Sequence, residues 1–289
     1  MASRWPDGFE CPRCGHDRAW PVTDRLLWEC AACRRQTSAT AGTVLHRTRM
    51  PLHLWFWGAY LMTTATPGIS AVQLQRQLGI ARYETAWMML HKLRRAMVNP
   101  QREPLTRAVE VDETFVGGPE AGLRGGRQQG IKALVVVAVE IRGAGCGRVG
   151  MQVIDDASAD TLCRFVTASI TPGARVHTDG WSGYQRLPRL GYDHQPRSQR
   201  AHRLINADPD EILPRVHRVI GNLKSWLQAT HRGVSGEHLQ VYLDEYTFRF
   251  NRRRTPMAAF QTLLGLGSQQ PPTTYNEINT HTRQPELTG

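Results

Sequence analysis

The chain has 289 residues, 40% of them hydrophobic, and a formal net charge of +11 at pH 7. That length holds one large domain with appendages or two or three compact ones, and that charge attracts phosphate polyanions through counterion release. No apolar run approaches the roughly 18 residues of a membrane-spanning helix, and the N-terminus does not read as a signal peptide. The expected partner is therefore nucleic acid and not a membrane, and the expected location is cytoplasmic, at the nucleoid. Lysine occurs only at 92, 132 and 224; the arginine excess fits bidentate phosphate contacts and a GC-rich genome equally well.

The first predicted element is a zinc ribbon over residues 8–45. Cys11-Pro-Arg-Cys14 and Cys30-Ala-Ala-Cys33, separated by residues 15–29, have the spacing with which two knuckles offer four thiolates to a tetrahedral Zn²⁺. The paired motif in a reducing compartment argues against two disulfides. A segment this small has no apolar core, so the metal supplies its folding free energy and is structural. Cys146 and Cys163 stand apart and read as small buried residues.

Residues 50–98 form a helical module. Leu52, Leu54, Trp55, Phe56, Trp57, Tyr60, Leu61 and Met62 make a buried helix that Pro67-Gly68 stops. Ser70-Ala-Val-Gln73 resembles a capping box that opens a short helix to about Leu78. Gly79 marks a turn, and Ala86, Met89, Leu90, Leu93 and Met97 recur at helical spacing along a longer helix. Helix, glycine-containing turn and helix make the helix-turn-helix pattern, which ordinary αα-hairpins share. Arg82, Tyr83 and Thr85 at the front of the longer helix are candidate groove-facing residues. Lys92, Arg94 and Arg95, off its apolar stripe, are further candidate DNA contacts.

After a linker, Asn99-Pro-Gln-Arg-Glu-Pro104, strands and helices alternate through a core over residues 105–262. The patterns predict strands near 107–116, 131–141, 147–155, 174–179 and 191–196, and helices near 158–169, 211–229 and 236–252. Three early strands, then helix, strand and helices, describe an α/β sheet of ribonuclease-H-like type. The stretch Gly117-Gly118-Pro119 to Gly125-Gly126 is a flexible loop without the spacing of a phosphate-binding P-loop. From about residue 267 to 289 the chain is polar and is expected to be a loose tail.

Two aspartates carry the chemistry of this core. Asp112 ends the apolar run Ala108-Val-Glu-Val-Asp112 and Asp179 ends Ala174-Arg-Val-His-Thr-Asp179, and strand ends hold carboxylates rigidly enough to bind Mg²⁺ or Mn²⁺. Asp-Gly is also a common turn dipeptide, so Asp179 has a purely structural alternative. The period of two puts Val109 and Val111 on one face and Glu110, Asp112 and Thr114 on the other. Glu113 is a second choice as ligand, and Asp155 and Asp156 are expected to cap the following helix. Two-metal phosphoryl transfer calls for a third oxygen donor from a later element. Asn222, at the edge of the apolar stripe Val216, Val219, Ile220, Leu223 and Leu227, is the candidate, with Glu237 or Glu245 as substitutes. Lys224 is placed to meet a phosphate, whereas His217 and His231 read as surface histidines. Arg252 and Arg253, at the end of the last predicted helix, either complement its dipole or contact a DNA strand.

The stretches Val111-Asp112-Glu-Thr-Phe-Val-Gly-Gly118, Thr178-Asp-Gly-Trp-Ser-Gly-Tyr184, His217-Arg-Val-Ile-Gly-Asn222-Leu-Lys224 and Tyr242-Leu-Asp-Glu-Tyr-Thr-Phe-Arg-Phe-Asn-Arg-Arg253 resemble the ISXO2-like insertion-sequence transposases. The double C-x-x-C is similar to that family's zinc ribbon, so the resemblance spans about residues 8 to 262. It implies DDE-type transposition by a ribonuclease-H-like domain: binding of terminal inverted repeats, Mg- or Mn-dependent cleavage at element ends, and strand transfer into target DNA. Carried over, it makes Asp112 and Asp179 the first two catalytic residues and Asn222 the third. Joining two ends of double-stranded DNA implies a homodimer or larger assembly. The alternatives are a nuclease or resolvase of the same fold that never joins DNA, and a zinc-ribbon DNA-binding regulator with an inert α/β domain.

Overall fold

The computed structural model describes residues 4–22, 27–117, 132–197 and 212–279. In chain order the elements are β1 (Ala19–Val22), β2 (Leu27–Cys30), β3 (Gln36–Ser38), α1 (Leu52–Thr64), α2 (Ala71–Leu78), α3 (Tyr83–Ala96), β4 (Ala108–Val116), β5 (Ala133–Arg142), β6 (Gly145–Ile154), α4 (Ala159–Ser169), β7 (Arg175–Thr178), β8 (Asp193–Pro196), α5 (Pro214–His231), α6 (Leu239–Asn251), α7 (Pro256–Gln269) and α8 (Tyr275–Asn279). They fall into two compact units, Met1–Asn99 with Arg254–Gly289, and Pro100–Arg253. The glycine-rich loop predicted from Gly117 onward lies, beyond Gly117 itself, outside the described residues.

In the first unit β1, β2 and β3 form an antiparallel meander. Each C-x-x-C turns through a hydrogen bond back to a cysteine carbonyl, Gly15 N to Cys11 O and Arg34 N to Cys30 O, with Gly15 at φ 70° and Arg34 at φ 58°. Two left-handed residues close the two knuckles. The Ser70 side chain accepts from Gln73 N at the start of α2, Gly79 at φ 63° ends it, and α3 follows. The pattern of helix, left-handed glycine and helix is as the sequence predicts.

The C-terminal helices depart from expectation. The core was expected to reach residue 262, but α7 begins at Pro256 and belongs to the first unit. Phe260 meets Tyr60 of α1 edge-on at 5.8 Å between ring centroids, and Ala259 and Leu263 are buried. Gly267 lets α7 pass close to Val44 and Ala96; a Cβ there would lie 3.3 Å from Val44 Cγ1. The predicted loose tail begins later too, since α7 runs to Gln269 and residues 275–279 form α8.

In the second unit five strands lie in the order β6-β5-β4-β7-β8. The pairs β6/β5 and β5/β4 are antiparallel, and β4/β7 and β7/β8 parallel. The alternation of β5 divides the core in two. Val135, Val137 and Val139 pack with Val216, Val219, Leu223 and Leu243 of α5 and α6, while Val136 and Ala138 pack with Val109, Val111, Leu162, Phe165 and Val166 on the α4 face. A strand buried on both faces reads as one continuous apolar run, as Leu134 to Val139 does. Each fully buried valine or leucine contributes roughly 1.5–3 kcal/mol. Ser158, not Asp155 or Asp156, is the N-cap of α4; Asp156 Oδ1 supports the cap by accepting from Ser158 N at 2.8 Å and Thr161 Oγ1 at 2.9 Å.

Candidate active site

The site is built on unequal strand lengths. In the β4/β7 register Ala108 faces Arg175, Val109 faces Val176 and Glu110 faces His177. Two further steps bring Asp112 level with Asp179, yet β7 ends at Thr178 while β4 continues to Val116. Beyond Glu110 the edge of β4 is therefore left without its parallel neighbour, at the carboxyl end of the pair, where α/β sheets hold their ligands. Asp112 is at the middle of its strand, not at its end as its apolar run suggested. The open edge arises because the neighbouring strand stops.

Asp179 also plays its structural part, since Oδ1 accepts from Trp181 N at 2.9 Å and Gly180 adopts φ 82°. The turn fixes the carboxylate in place. Trp181 Nε1 in turn donates to Ala157 O at 3.0 Å. Tyr184, one turn further, is buried and donates its hydroxyl proton to Glu113 Oε1. Burial, and then the carboxylate of Glu113, hold the Tyr184 phenol well above its usual pKa, and Asp112 and Asp179 push it the same way. Three carboxylates thus act on one phenol, one of them in contact with it. Glu113, the second-choice ligand, points to the α4 face, with Val109 and Val111, and is held there by Tyr184.

The opposite face of β4 is stitched to α5. Glu110 is fully buried; its Oε2 accepts from Arg215 N at 2.8 Å and Val216 N at 2.9 Å, and its Oε1 pairs with Arg215 Nη1 at 3.1 Å. A carboxylate from a strand more than a hundred residues earlier caps this helix, whose own N-cap, Leu213, offers no side-chain hydrogen bond. Two residues along both elements, His217 Nε2 lies 3.2 Å from Asp112 Oδ2. Lys224, two turns further along α5, lies within electrostatic range of Asp112. Burial lowers the pKa of its ammonium, Lys132 lowers it further, and Asp112 opposes both. Lys132 and Asp112 are thus both within electrostatic range of Lys224.

Asn222 is elsewhere on α5. At 100° per residue it lies about 140° around the axis from His217, but about 60° from Val219 and 40° from Trp226. Those two face α6: Trp226 packs on Tyr246 at 5.5 Å between centroids, and Tyr246 Oη reaches Val219 O at 3.5 Å. Asn222 is exposed, on the α6 side of the helix. Of its substitutes, Glu245 is fully buried and pairs with Arg249 at 3.6 Å, and Glu237 is exposed in a 3-10 turn ahead of α6.

The four cysteines do converge. Cys11 Sγ lies 3.6 Å from Cys33 Sγ and Cys14 Sγ 3.6 Å from Cys30 Sγ, close to the sulfur–sulfur edge of about 3.8 Å that a tetrahedron with Zn–S of about 2.3 Å requires. Among the described residues this is the group of three or more His, Cys, Asp or Glu side chains whose donor atoms all lie within 4.8 Å of one another.

Residues 104–251 match the ISXO2-like transposase domain, and residues 1–36 match the transposase zinc-ribbon domain. The chain belongs to the ISXO2-like transposase family. No curated protein matches it. Among solved structures, it resembles a pre-cleavage Mos1 transpososome at 12% identity and a TM-score of 0.27, over 77% of this chain and 81% of that one. A Mos1 strand transfer complex matches at 11% and 0.24 over 77% and 81%, and a Mos1 transposase paired-end complex with left transposon end at 11% and 0.24 over 74% and 81%. Scores this low carry no argument about fold or site.

In this transposase the basic residues expected to touch DNA divide sharply. Arg82 and Tyr83 are exposed at the start of α3 and Thr85 is half-buried. Arg94 is buried, at 1% exposure, and is not available to a ligand. Lys92 and Arg95 are half-buried; burial lowers both pKa values against the opposing pull of Glu277, and Arg95 Nη2 donates to Glu277 O at 3.0 Å. Arg253 donates to Cys146 O at 2.6 Å and Gly147 O at 3.3 Å, and the guanidinium of Arg252 lies 4.1 Å from the centre of the Phe248 ring. These last two fasten the end of α6.

Proposed function

We propose that this transposase cuts DNA at the ends of an insertion sequence and joins the freed 3′-hydroxyl to target DNA, using a divalent-metal site on Asp112 and Asp179. The observation that carries the reading is the register that levels these two carboxylates at an edge one strand leaves open. Their oxygen donors suit Mg²⁺ or Mn²⁺, which bind few protein ligands and keep positions for water and phosphate. When bound, the metal would lower the pKa of an attacking water and stabilise the leaving oxygen. Asp179, braced by the Trp181 turn, and Asp112, braced through the α5 contact, would hold donors rigid. Lys224 and Lys132 would meet the phosphate's charge.

The sheet order, with three antiparallel strands followed by two parallel ones, supports a ribonuclease-H-like catalytic domain. The zinc ribbon and the pair α2 and α3 would bind the terminal inverted repeats, with Arg82, Tyr83 and Thr85 as the reading residues. Bringing two ends together would require at least two copies of the chain.

The test supplies a labelled element end, a target plasmid and Mg²⁺. Joined products from the wild type, their loss in Asp112→Asn and Asp179→Asn, and unchanged end binding by both variants are expected. Cut ends without joined products would instead favour a nuclease or resolvase. Joining that survives both substitutions would favour a regulator whose α/β domain is inert.

A further inference from the structure

We infer that residues 270–279 are an autoinhibitory strap, which covers Lys92 and Arg95 of α3 and leaves that face when DNA binds. The inference rests on the proposed DNA-reading role of α3 and adds a control to it. At 100° per residue, Thr85, Met88, Lys92 and Arg95 fall within about 80° of one another around the helix, so three of the candidate DNA contacts share one face. The C-terminal segment runs along that face. Gln270 Nε2 donates to Val98 O at 3.1 Å, just past the end of α3, and Arg95 Nη2 donates to Glu277 O at 3.0 Å. Lys92 and Arg95 are both within electrostatic range of the Glu277 carboxylate. An acidic side chain thus stands where a DNA phosphate would, while Arg82 and Tyr83 at the front of α3 stay exposed.

The strap's construction suits release. Its helix, α8, is 5 residues long, too short to persist on its own. A capping box starts it: Thr274 N donates to Glu277 Oε2 at 2.8 Å, and Glu277 N to Thr274 Oγ1 at 3.3 Å. Ile278, at 3% exposure, is its buried anchor. Tyr275, by contrast, is 51% exposed, and with Trp55, Thr85, Met88 and Lys92 it lines a cavity of about 240 Å³. The strap therefore bridges this part of α3 without closing on it. Helix formation and docking stand or fall together, so a polyanion that competes for Lys92 and Arg95 takes away the strap's electrostatic partners and its support at once. Pro271-Pro272 separates the strap from α7, because proline cannot continue a helix, and its release leaves α7 in place.

The experiment measures binding of the zinc-loaded protein to a fluorescent random-sequence DNA duplex, because phosphate contacts carry no sequence information. Two variants free the face: Ile278→Asp in the full chain, and a chain that ends at Gln269. Each should bind about tenfold more tightly than the wild type, the gain that follows when the open form is about a tenth of the population. Ile278→Asp adds a negative charge, which by itself weakens DNA binding, so tightening by this variant has one source. Adding Lys92→Ala and Arg95→Ala should abolish the gain. In the wild type, hydrogen exchange at residues 274–279 should accelerate when the duplex is added. Unchanged or weaker binding in both variants overturns the inference. So does a gain that survives the two alanine substitutions, or a duplex that slows exchange in the strap or leaves it as it was. The reading of α3 itself fails, separately, if the strap-free chain binds the duplex equally well after Arg82→Ala, Lys92→Ala and Arg95→Ala together.

Discussion

The two metal-binding regions of this transposase are built in opposite ways. In the ribbon, four ligands of one chemical kind come from two local turns, and the spacing of the cysteines already specifies the tetrahedron. Beside β4, the proposed metal donors come from a strand and from a turn, which only the folded sheet brings to the same edge. A site encoded locally can be read from spacing, whereas one encoded by register can be read only in part. The difference also bears on stability: the ribbon depends on its metal, and the site beside β4 is held by protein contacts that exist without one.

The largest expected effect would test that contrast directly. Removing zinc with a strong chelator, or substituting Cys14→Ser, should unfold the ribbon, because structural zinc contributes on the order of 10 kcal/mol to such modules. Cooperative unfolding of residues 100–253 in urea should stay in place. Hydrogen exchange resolved by segment measures both, and loss of protection across the sheet would break the contrast. Next comes Glu110→Ala, which leaves Arg215 and the first turn of α5 without their buried partner at a cost of roughly 3–5 kcal/mol. A shift in the urea midpoint of the catalytic unit measures it, and a shift of only a few tenths of a kcal/mol would mean that the cap does not fasten α5.

A smaller loss, roughly 1–3 kcal/mol, is expected for Tyr184→Phe, which takes the hydroxyl from the Glu113 carboxylate. Equilibrium unfolding reads this too, with Glu113→Gln as the partner variant in a double-mutant cycle; additive effects would separate the two residues. The smallest effect belongs to Asn222→Ala, an exposed position where about 0.5 kcal/mol or less is usual. Strand transfer is the sensitive readout at this position: a hundredfold loss at unchanged stability is expected if Asn222 is the third metal ligand, and joining near wild type would remove it from that role.

Much of the architecture was legible. Periods of two and 3.6 placed all five strands and the three helices of the catalytic unit within a few residues, since a sheet buried on both faces and amphipathic helices leave strong patterns. The C-terminal helix α7 was missed as a separate element of the first unit. Pro256 at its first turn and the spacing of Ala259 and Leu263 signalled a helix, but nothing local says that Phe260 will meet Tyr60. Site residues follow the same division. Asp112 and Asp179 stood out by alternation and by the turn, while Glu110 was recognised only as facing the same way as Asp112. Its task depends on a helix that starts more than a hundred residues later. Asn222 was chosen from the edge of an apolar stripe and from the family resemblance; a stripe has two edges, and tertiary packing, which the sequence does not show, decides which one faces the sheet. Arg94, Arg252 and Arg253 show the same limit for charge, because arginine also serves as a buried or carbonyl-bound brace.

On the function proposed here, Asp112 and Asp179 form one metal site because the β4/β7 register levels them. The direct measurement is Mn²⁺ affinity by isothermal titration calorimetry for Asp112→Asn, Asp179→Asn and the double variant. If the two share a site, each single substitution should abolish most of the binding and the double variant should lose little more. Independent, additive losses, or Mn²⁺ binding that survives in the double variant, would contradict the account.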